Sequence, residues 1–165
     1  MKFQLVDRVV SWTPGESIRA VKNLSLAEEY LQDHFPGFPV FPGVLMVEAM
    51  VQTSAWLLRA SNDFTYSMTL LQQAKAVKFN SFVKPGRSLH LEAKIVKTDD
   101  ATVTLKTTGH LNAFADEGGE SAVSARLVLE QSNLDSEETT KDDRLRELLR
   151  RDWTTIAGNL AAAAS

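Results

Sequence analysis

The sequence contains no cysteine, which excludes disulfide bonds, thiolate catalysis and zinc sites built on cysteine. It also lacks a long hydrophobic run. The longest apolar stretch, from Val44 to Ala49, contains Glu48 and is far shorter than the roughly 20 residues that cross a bilayer. Charges interrupt the first residues, Met1 to Arg8, so we expect no secretory signal. These absences predict a soluble cytoplasmic protein that is not inserted in a membrane.

Basic residues are not in excess, since 18 lysines and arginines stand against 21 aspartates and glutamates, for a net charge of −3. Binding to nucleic acid relies on a surplus of cations that contact phosphates, so we expect no nucleic-acid partner. The 165 residues are enough for one domain with a sizeable core. Nothing in the composition indicates a metal site or a cofactor.

The order of the predicted elements is typical of an α+β protein. A capping box of Ser25 and Glu28 predicts a short helix over 25–31, and a long helix is predicted from Gly43 to about Arg59. Strand-like segments occupy residues 3–12, 16–24, 68–80, 89–95, 103–107 and 123–129. Because the long helix is apolar on nearly every face, we expect a curved sheet to wrap around it and a second copy of the chain to complete its enclosure.

The last part of the chain has a different character. Residues 131–141 are polar and charged, as in a linker, and apolar residues then recur at helical spacing from Leu145 through Trp153 to Leu160. We therefore divide the chain into a domain over residues 1–130 and an extension over 131–165, in which a charged linker leads to an amphipathic helix.

The segment from His34 to Gln52 carries the strongest chemical signal. His34 is a natural general base, and Pro36, Pro39 and Pro42 stiffen the loop that follows it. Gly43 begins the long helix, where a free backbone N–H can donate to a carbonyl oxygen.

An acid follows on the same helix. Glu48 is a carboxyl group among apolar neighbours, and Gln52 lies four residues further on, within hydrogen-bonding reach of it. Each residue alone also fits an ordinary structural role, but together they suit removal of a proton next to a thioester carbonyl. Dehydration of a 3-hydroxyacyl thioester would use all of them, and enolisation or isomerisation would also be compatible.

The chain resembles the 3-hydroxyacyl-acyl carrier protein dehydratases of fatty acid synthesis over roughly residues 4–130. Three blocks carry the resemblance: Leu5-Val-Asp-Arg8 with Pro14-Gly15, the segment from His34 to Gln52, and Ala76-Val-Lys-Phe79 with Val83-Lys-Pro-Gly86. The resemblance implies a hotdog fold, in which an antiparallel sheet wraps a central helix. It further implies a homodimer whose sites combine residues of two subunits, with a trimer of dimers as a further assembly that the family allows.

The same resemblance implies roles for individual residues. His34 would be the catalytic base and Glu48 of the partner subunit the acid, while the Gly43 N–H would hold the thioester carbonyl and Gln52 would support Glu48. Because the branch that also isomerises the double bond carries Asp at the acid position, Glu48 indicates the plain dehydratase branch. Lys75 and Arg87 depart from the aspartates common in the family, and the extension 131–165 has no counterpart in it.

Substrate and partner are also predicted. The acyl carrier protein is acidic, so the positive residues Lys75, Lys78, Lys84 and Arg87 are candidates for its docking surface. The acyl chain needs apolar walls, for which the candidates are Phe38, Phe41, Trp56 and Phe79. Two other functions stay open: a hotdog thioesterase, which would need an activated water, and a non-catalytic acyl-binding subunit.

Overall fold

A single six-stranded antiparallel sheet forms the centre of the protein. The computed structural model describes residues 3–32, 34–35, 37–134, 139–158 and 160. The strands are Arg8–Thr13 (β1), Ser17–Asn23 (β2), Met68–Phe79 (β3), Ser88–Asp99 (β4), Thr102–Leu111 (β5) and Glu120–Ser132 (β6). Their order across the sheet is β1-β2-β4-β5-β6-β3, so β1 and β3 are the edges. The predicted α+β class and antiparallel sheet are confirmed.

The long helix α1, Gly43–Ser61, packs across the inner face of this sheet and contacts β2 through β6. It begins at the predicted residue and ends two residues beyond the predicted Arg59. The inner sheet positions beneath it are apolar and fully enclosed, which removes them from water and supplies the main stabilisation of the fold. They include Leu89, Leu91, Ala93, Leu105, Leu127 and Leu129.

The first turns of α1 are not enclosed by the sheet. Val44 is 75% exposed, and Leu45 and Val47 are only half-buried, although Met46, Ala49 and Met50 are buried. The helix was predicted to be enclosed on every side, but one of its apolar sides is left in contact with solvent. An exposed apolar face of this kind is typical of a surface that another molecule covers.

The short helix predicted over 25–31 is wrong in extent. Only one 3₁₀ turn forms, over Glu29–Leu31, and no side chain caps it. The Glu28 carboxylate does not turn back to the chain at Ser25, because it pairs with the buried ammonium of Lys22 at 2.5 Å. The Ser25 hydroxyl instead accepts a hydrogen bond from the N–H of Ala27 at 3.1 Å. A buried cation that needs a partner has thus displaced the local capping pattern.

The N-terminal strand is also shorter than predicted, because it starts at Arg8 rather than residue 3. Of the preceding residues, Leu5 is held by α1, because its N–H donates to the Gln52 side-chain oxygen at 2.8 Å. Asp7 is held by β2, because its N–H donates to the Val21 carbonyl at 2.9 Å. At the other end, β6 runs to Ser132, two residues into the predicted linker. Residues 135–138 of that linker and the tail 161–165 lie outside the described residues.

The predicted C-terminal helix is present as α2, Thr139–Ala157, and its apolar face packs against the domain. Trp153 is 5% exposed and lies between Trp12 of β1, at 5.3 Å between ring centroids, and Trp56 of α1, at 6.1 Å. Ile156 is buried beside it, whereas Leu148, which the helical spacing placed on the same face, is 38% exposed. The extension is therefore docked onto the domain through a cluster of three tryptophans.

Polar contacts hold α2 to the loop that follows α1. The Arg146 guanidinium donates to the Thr65 carbonyl at 3.0 Å, and Arg150 donates to the Asp63 carbonyl at 2.8 Å. The buried Asp142 accepts a hydrogen bond from the Leu134 N–H at 3.2 Å. In the described part of the chain, no helix is both long and apolar enough to span a membrane.

Replacing Trp153 by alanine should destabilise the whole domain, because the substitution removes a buried ring from between Trp12 and Trp56. We expect a loss of about 3–5 kcal/mol in the free energy of unfolding, measured by urea titration. The exposed Leu148→Ala variant on the same helix should lose less than about 1 kcal/mol. Equal effects of the two substitutions would contradict the docking of α2 through Trp153.

Candidate active site

A largely apolar cavity of about 520 Å³ opens beside the start of α1. His34 and Gly43, the predicted base and the predicted carbonyl-binding N–H, both border it, and their roles stay predictions. Its lining residues are His34, Phe35, Val40, Phe41, Gly43, Met46, Phe79, Asn80, Ser81 and Phe82. We call this the His34 cavity.

His34 is half-buried in the loop before α1, and its ring lies 4.4 Å from that of Phe35. Phe35 adopts a φ of 51°, in the left-handed region that is unusual for an aromatic residue. Backbone strain of this kind clusters at functional sites, because the surrounding structure must hold it in place. The loop is further tied down where the Phe38 N–H donates to the Phe35 carbonyl at 2.7 Å and the Phe41 N–H donates to the Val83 carbonyl at 2.8 Å.

Gly43 supplies an open helix N-terminus at the cavity wall. The residue before it, Pro42, provides no side-chain cap for the first N–H groups of α1. A Cβ at Gly43 would lie 3.1 Å from the ring of Phe79, so any side chain would push against this wall of the cavity. Glycine therefore allows Phe79 to pack closely against the start of the helix. The N–H at that point, with the positive end of the helix dipole, is suited to an oxygen acceptor.

Glu48 borders a different cavity, of about 260 Å³. Its lining is mixed, with polar and apolar side chains in similar number. It consists of Phe3, Gln4, Glu48, Val51, Gln52, Ala55, Trp56, Arg59, Thr69, Leu149 and Asp152. We call this the Glu48 cavity.

The separation of the two cavities follows from the geometry of α1. Glu48 is five residues after Gly43, and on an α-helix this spacing turns the side-chain direction by about 140°. Gly43 and Met46 therefore share one side of the helix and border the His34 cavity. From Glu48 to Arg59, residues at the helical spacings i, i+3, i+4, i+7, i+8 and i+11 line the Glu48 cavity.

Gln52 connects Glu48 to the N-terminal segment. Its amide nitrogen donates to the Glu48 carboxylate at 2.9 Å and to the Phe3 carbonyl at 3.3 Å. Its oxygen accepts the Leu5 N–H at 2.8 Å. The predicted Gln52–Glu48 hydrogen bond is therefore present, and the other contacts of Gln52 fix its orientation.

Glu48 itself is less enclosed than the sequence predicts. It is half-buried at a cavity that also has Gln4, Gln52 and Arg59 in its lining, rather than surrounded by apolar side chains. Arg59, three turns further along that face, is the more desolvated group. Burial lowers the pKa of Arg59 to about 10, and its guanidinium stacks on Trp56 at 5.4 Å.

The four aromatic residues that were predicted to line the acyl-chain site do not lie in one cavity. Phe41 and Phe79 border the His34 cavity, whereas Trp56 borders the Glu48 cavity. Phe38 is outside the lining of both: it is 46% exposed and packs edge-on against Phe82 at 5.9 Å. The reason is that Phe38 lies in the loop turned back by the hydrogen bond to Phe35, and its ring is covered by the Lys84 ammonium at 4.7 Å.

The four predicted docking cations do not form one surface. Lys84 and Arg87 border a groove that also includes Phe82, a lining residue of the His34 cavity. Lys75 and Lys78 lie on the outer face of edge strand β3, where a bulge at Ala76 places both on the same side. Only Lys84 and Arg87 therefore adjoin the mouth of the His34 cavity.

The outer face of the sheet carries a row of cations, of which the sequence analysis had identified only Lys75. Directly opposite positions on β3, β6, β5 and β4 form one exposed row, which consists of Lys75, Arg126, Lys106 and Lys94. These residues are far apart along the chain, so only the strand register reveals the row. Like charges opposite each other destabilise a sheet slightly, and Glu92 offsets part of this by pairing with Lys94 at 2.8 Å.

Several lining residues also escaped the sequence analysis. Asn80 and Ser81 follow β3 at the His34 cavity, where the Asn80 amide donates to the Ser121 hydroxyl and the Ser81 hydroxyl donates to Glu120. Leu149 and Asp152 reach the Glu48 cavity from α2. No local pattern could have indicated these positions, because they join the cavities only through tertiary packing.

Comparison with known proteins shows which family the chain is similar to. The model of the FabA-like domain family matches residues 1–125. The dehydratase FabZ of Oenococcus oeni, a 3-hydroxyacyl-acyl-carrier-protein dehydratase, is 40% identical over 124 residues, which cover 75% of this chain and 85% of the relative. The FabZ dehydratase of Shewanella woodyi is 42% identical over 100 residues, and the match spans 58% of this chain and 64% of that relative.

Solved structures show the same fold at low sequence identity. The dehydratase heterocomplex ApeI:P of Xenorhabdus doucetiae superposes with a TM-score of 0.60 and 18% identity, over 84% of this chain and 88% of that one. A Streptococcus mutans protein bound to acetyl CoA gives a TM-score of 0.59 and 14% identity, over 80% and 92%. These likenesses confirm the hotdog fold. The family match over residues 1–125 shows that the chain belongs to the FabA-like domain family.

Proposed function

We propose that this protein dehydrates 3-hydroxyacyl-acyl carrier protein thioesters to trans-2-enoyl thioesters in fatty acid biosynthesis or a related pathway. The observation that carries the proposal is the placement of four residues in a chain of this family. His34 and Gly43 border one cavity, and Glu48 with its partner Gln52 borders the other. The match to relatives named as FabZ dehydratases supports the same activity.

In the proposed reaction, His34 removes the proton at C2 of the substrate. The electron pair of that C–H bond forms the C2–C3 double bond, and the C3–O bond breaks. The Glu48 carboxyl group donates a proton to the departing hydroxyl, which leaves as water.

Gly43 has an electrostatic role in this proposal. Removal of the C2 proton places negative charge on the thioester oxygen, and the Gly43 N–H at the start of α1 would donate to that oxygen. Because the Phe79 ring packs closely against Gly43, a residue with a side chain would be crowded at this position. Since the N–H and His34 border the same cavity, the carbonyl and the C2 proton would lie in the apolar His34 cavity.

We infer that the complete site forms between two copies of the chain. Within one chain, His34 and Glu48 border different cavities on different sides of α1, so a base and an acid do not meet there. Exposed apolar side chains around the His34 cavity support coverage by a second copy: Phe35 is 58% exposed, Phe79 53% and Phe82 63%. Strand β3 is a 12-residue open edge that presents Leu70 and Leu71 to solvent, and such an edge is suited to pairing with its copy.

Heterodimers that carry defined substitutions test the shared site. His34→Ala and Glu48→Gln should each lower kcat by about 10²–10⁴-fold, because each removes one proton-transfer group. A dimer of one His34→Ala chain and one Glu48→Gln chain, isolated through two different affinity tags, keeps one intact site and should recover about half of the wild-type activity.

The reciprocal heterodimer is the matched control. When one chain is wild type and the other carries both substitutions, every shared site lacks one group, so activity should be lost. The opposite pattern, with an active reciprocal dimer and an inactive first dimer, would show that each site lies within one chain. Thioester hydrolysis without enoyl product would instead favour the thioesterase.

Gln52→Leu should lower kcat by about tenfold, because the Glu48 carboxylate loses a hydrogen-bond donor that orients it. The protein should also lose about 1–3 kcal/mol of stability, since the Leu5 N–H loses its acceptor. Lys106→Leu, at an exposed side chain on the outer face of the interior strand β5, is the control and should leave kcat unchanged. A fall in stability without any change in kcat would refute the positioning role of Gln52.

For the carrier protein, we propose docking at the Lys84–Arg87 turn, which adjoins the His34 cavity through Phe82. Replacing Lys84 and Arg87 by Glu should raise KM for a carrier-linked substrate by about tenfold at low salt and change that for a pantetheine thioester far less. Replacing Lys94 and Lys106 by Glu makes the same change of charge on the outer face of the sheet. An equal rise in KM for both double variants would contradict docking at the turn.

A further inference from the structure

Helix α2 lies beyond the residues that match the family, yet it forms part of the Glu48 cavity. The family match ends at residue 125, and α2 spans Thr139–Ala157. Leu149 and Asp152 of this helix border the same cavity as Glu48 and Gln52. The extension therefore adds a wall to a cavity that, in the proposed function, belongs to the substrate site.

This wall is held firmly in place. Leu149, Asp152, Trp153 and Ile156 recur at helical spacing on the side of α2 that faces the domain. Trp153 packs between Trp12 and Trp56, and Trp56 is itself a lining residue of the Glu48 cavity. The position of Leu149, one turn before Trp153, is consequently fixed relative to Trp56 in the lining of the cavity.

We propose that α2 limits the length of the acyl chain that the site accepts, with Leu149 as the residue that sets the depth of the Glu48 cavity. The inference rests on the proposed dehydratase function and deepens it by naming a determinant of substrate specificity. Leu149 is half-buried at the cavity and supplies apolar surface opposite Val51, Ala55 and Trp56 on α1.

The polar residues of the lining give the physical reason. The cavity is also bordered by Arg59, whose Nε has no hydrogen-bond partner among the described residues. An acyl chain long enough to reach the Arg59 guanidinium would keep water from this Nε without offering a hydrogen bond, which is unfavourable. The site should therefore favour chains that end before this region.

The test compares kcat/KM for 3-hydroxyacyl thioesters with short, medium and long chains in the full-length protein. Leu149→Ala enlarges the cavity and should raise the ratio of long-chain to short-chain kcat/KM by at least about tenfold. Leu149→Phe should shift the ratio in the opposite direction. The matched controls are Leu148→Ala and Leu148→Phe, because Leu148 is the exposed neighbour on the same helix and does not line the cavity.

A binding measurement separates the failure of this inference from the failure of the proposed function. Calorimetry with unreactive acyl-pantetheine amides of the same lengths reports the length preference without any chemistry. A shift of that preference in the Leu149 variants, but not in the Leu148 variants, supports the inference whether or not the protein turns substrate over. Absence of turnover would overturn the proposed dehydration. An unchanged preference in the Leu149 variants overturns the inference, whether or not the enzyme is active.

Discussion

The direction in which each residue of α1 points is the constraint on which the rest of the structure depends. The helix buries one side against the sheet, which leaves two further directions for chemistry, one towards His34 and one towards the N-terminal segment and α2. The candidate base His34 and the candidate acid Glu48, which are close in sequence, thereby border different sides of one helix. The sheet covers one side of α1, and the N-terminal segment and α2 together enclose the side that carries Glu48.

Gln52 shows how these surroundings depend on each other. One side chain accepts the Leu5 N–H and donates to Glu48, so the start of the chain and the candidate acid share a single support. The same side chain also fixes the course of the chain well before β1, because the Phe3 carbonyl and the Leu5 N–H both bond to Gln52 on the helix. Local structure and site geometry are here consequences of one set of hydrogen bonds.

Much of the fold could be predicted from the sequence, because alternation along strands and the apolar run after Gly43 are local signals. The limits of α1 and the strand positions follow from them to within a few residues. The capping box at Ser25 did not form, because the Glu28 carboxylate pairs with the buried ammonium of Lys22 instead of capping a helix. The row that joins Lys75 to Arg126 depends on strand register, which the sequence does not reveal.

Four candidate site residues could be identified from the sequence because they lie in one segment: His34, Gly43, Glu48 and Gln52. By contrast, Phe82 and Leu149 reach the two cavities only when the chain folds.

The tryptophan cluster has a spectroscopic consequence. The three tryptophans of the protein, Trp12, Trp56 and Trp153, all meet at the contact between α2 and the domain. Tryptophan fluorescence therefore reports on that one contact and, through Trp56, on the lining of the Glu48 cavity. The His34 cavity has only phenylalanines as its aromatic wall and contributes nothing to this signal. Emission from the unmodified protein can thus follow the docking of the C-terminal helix separately from events around the candidate base.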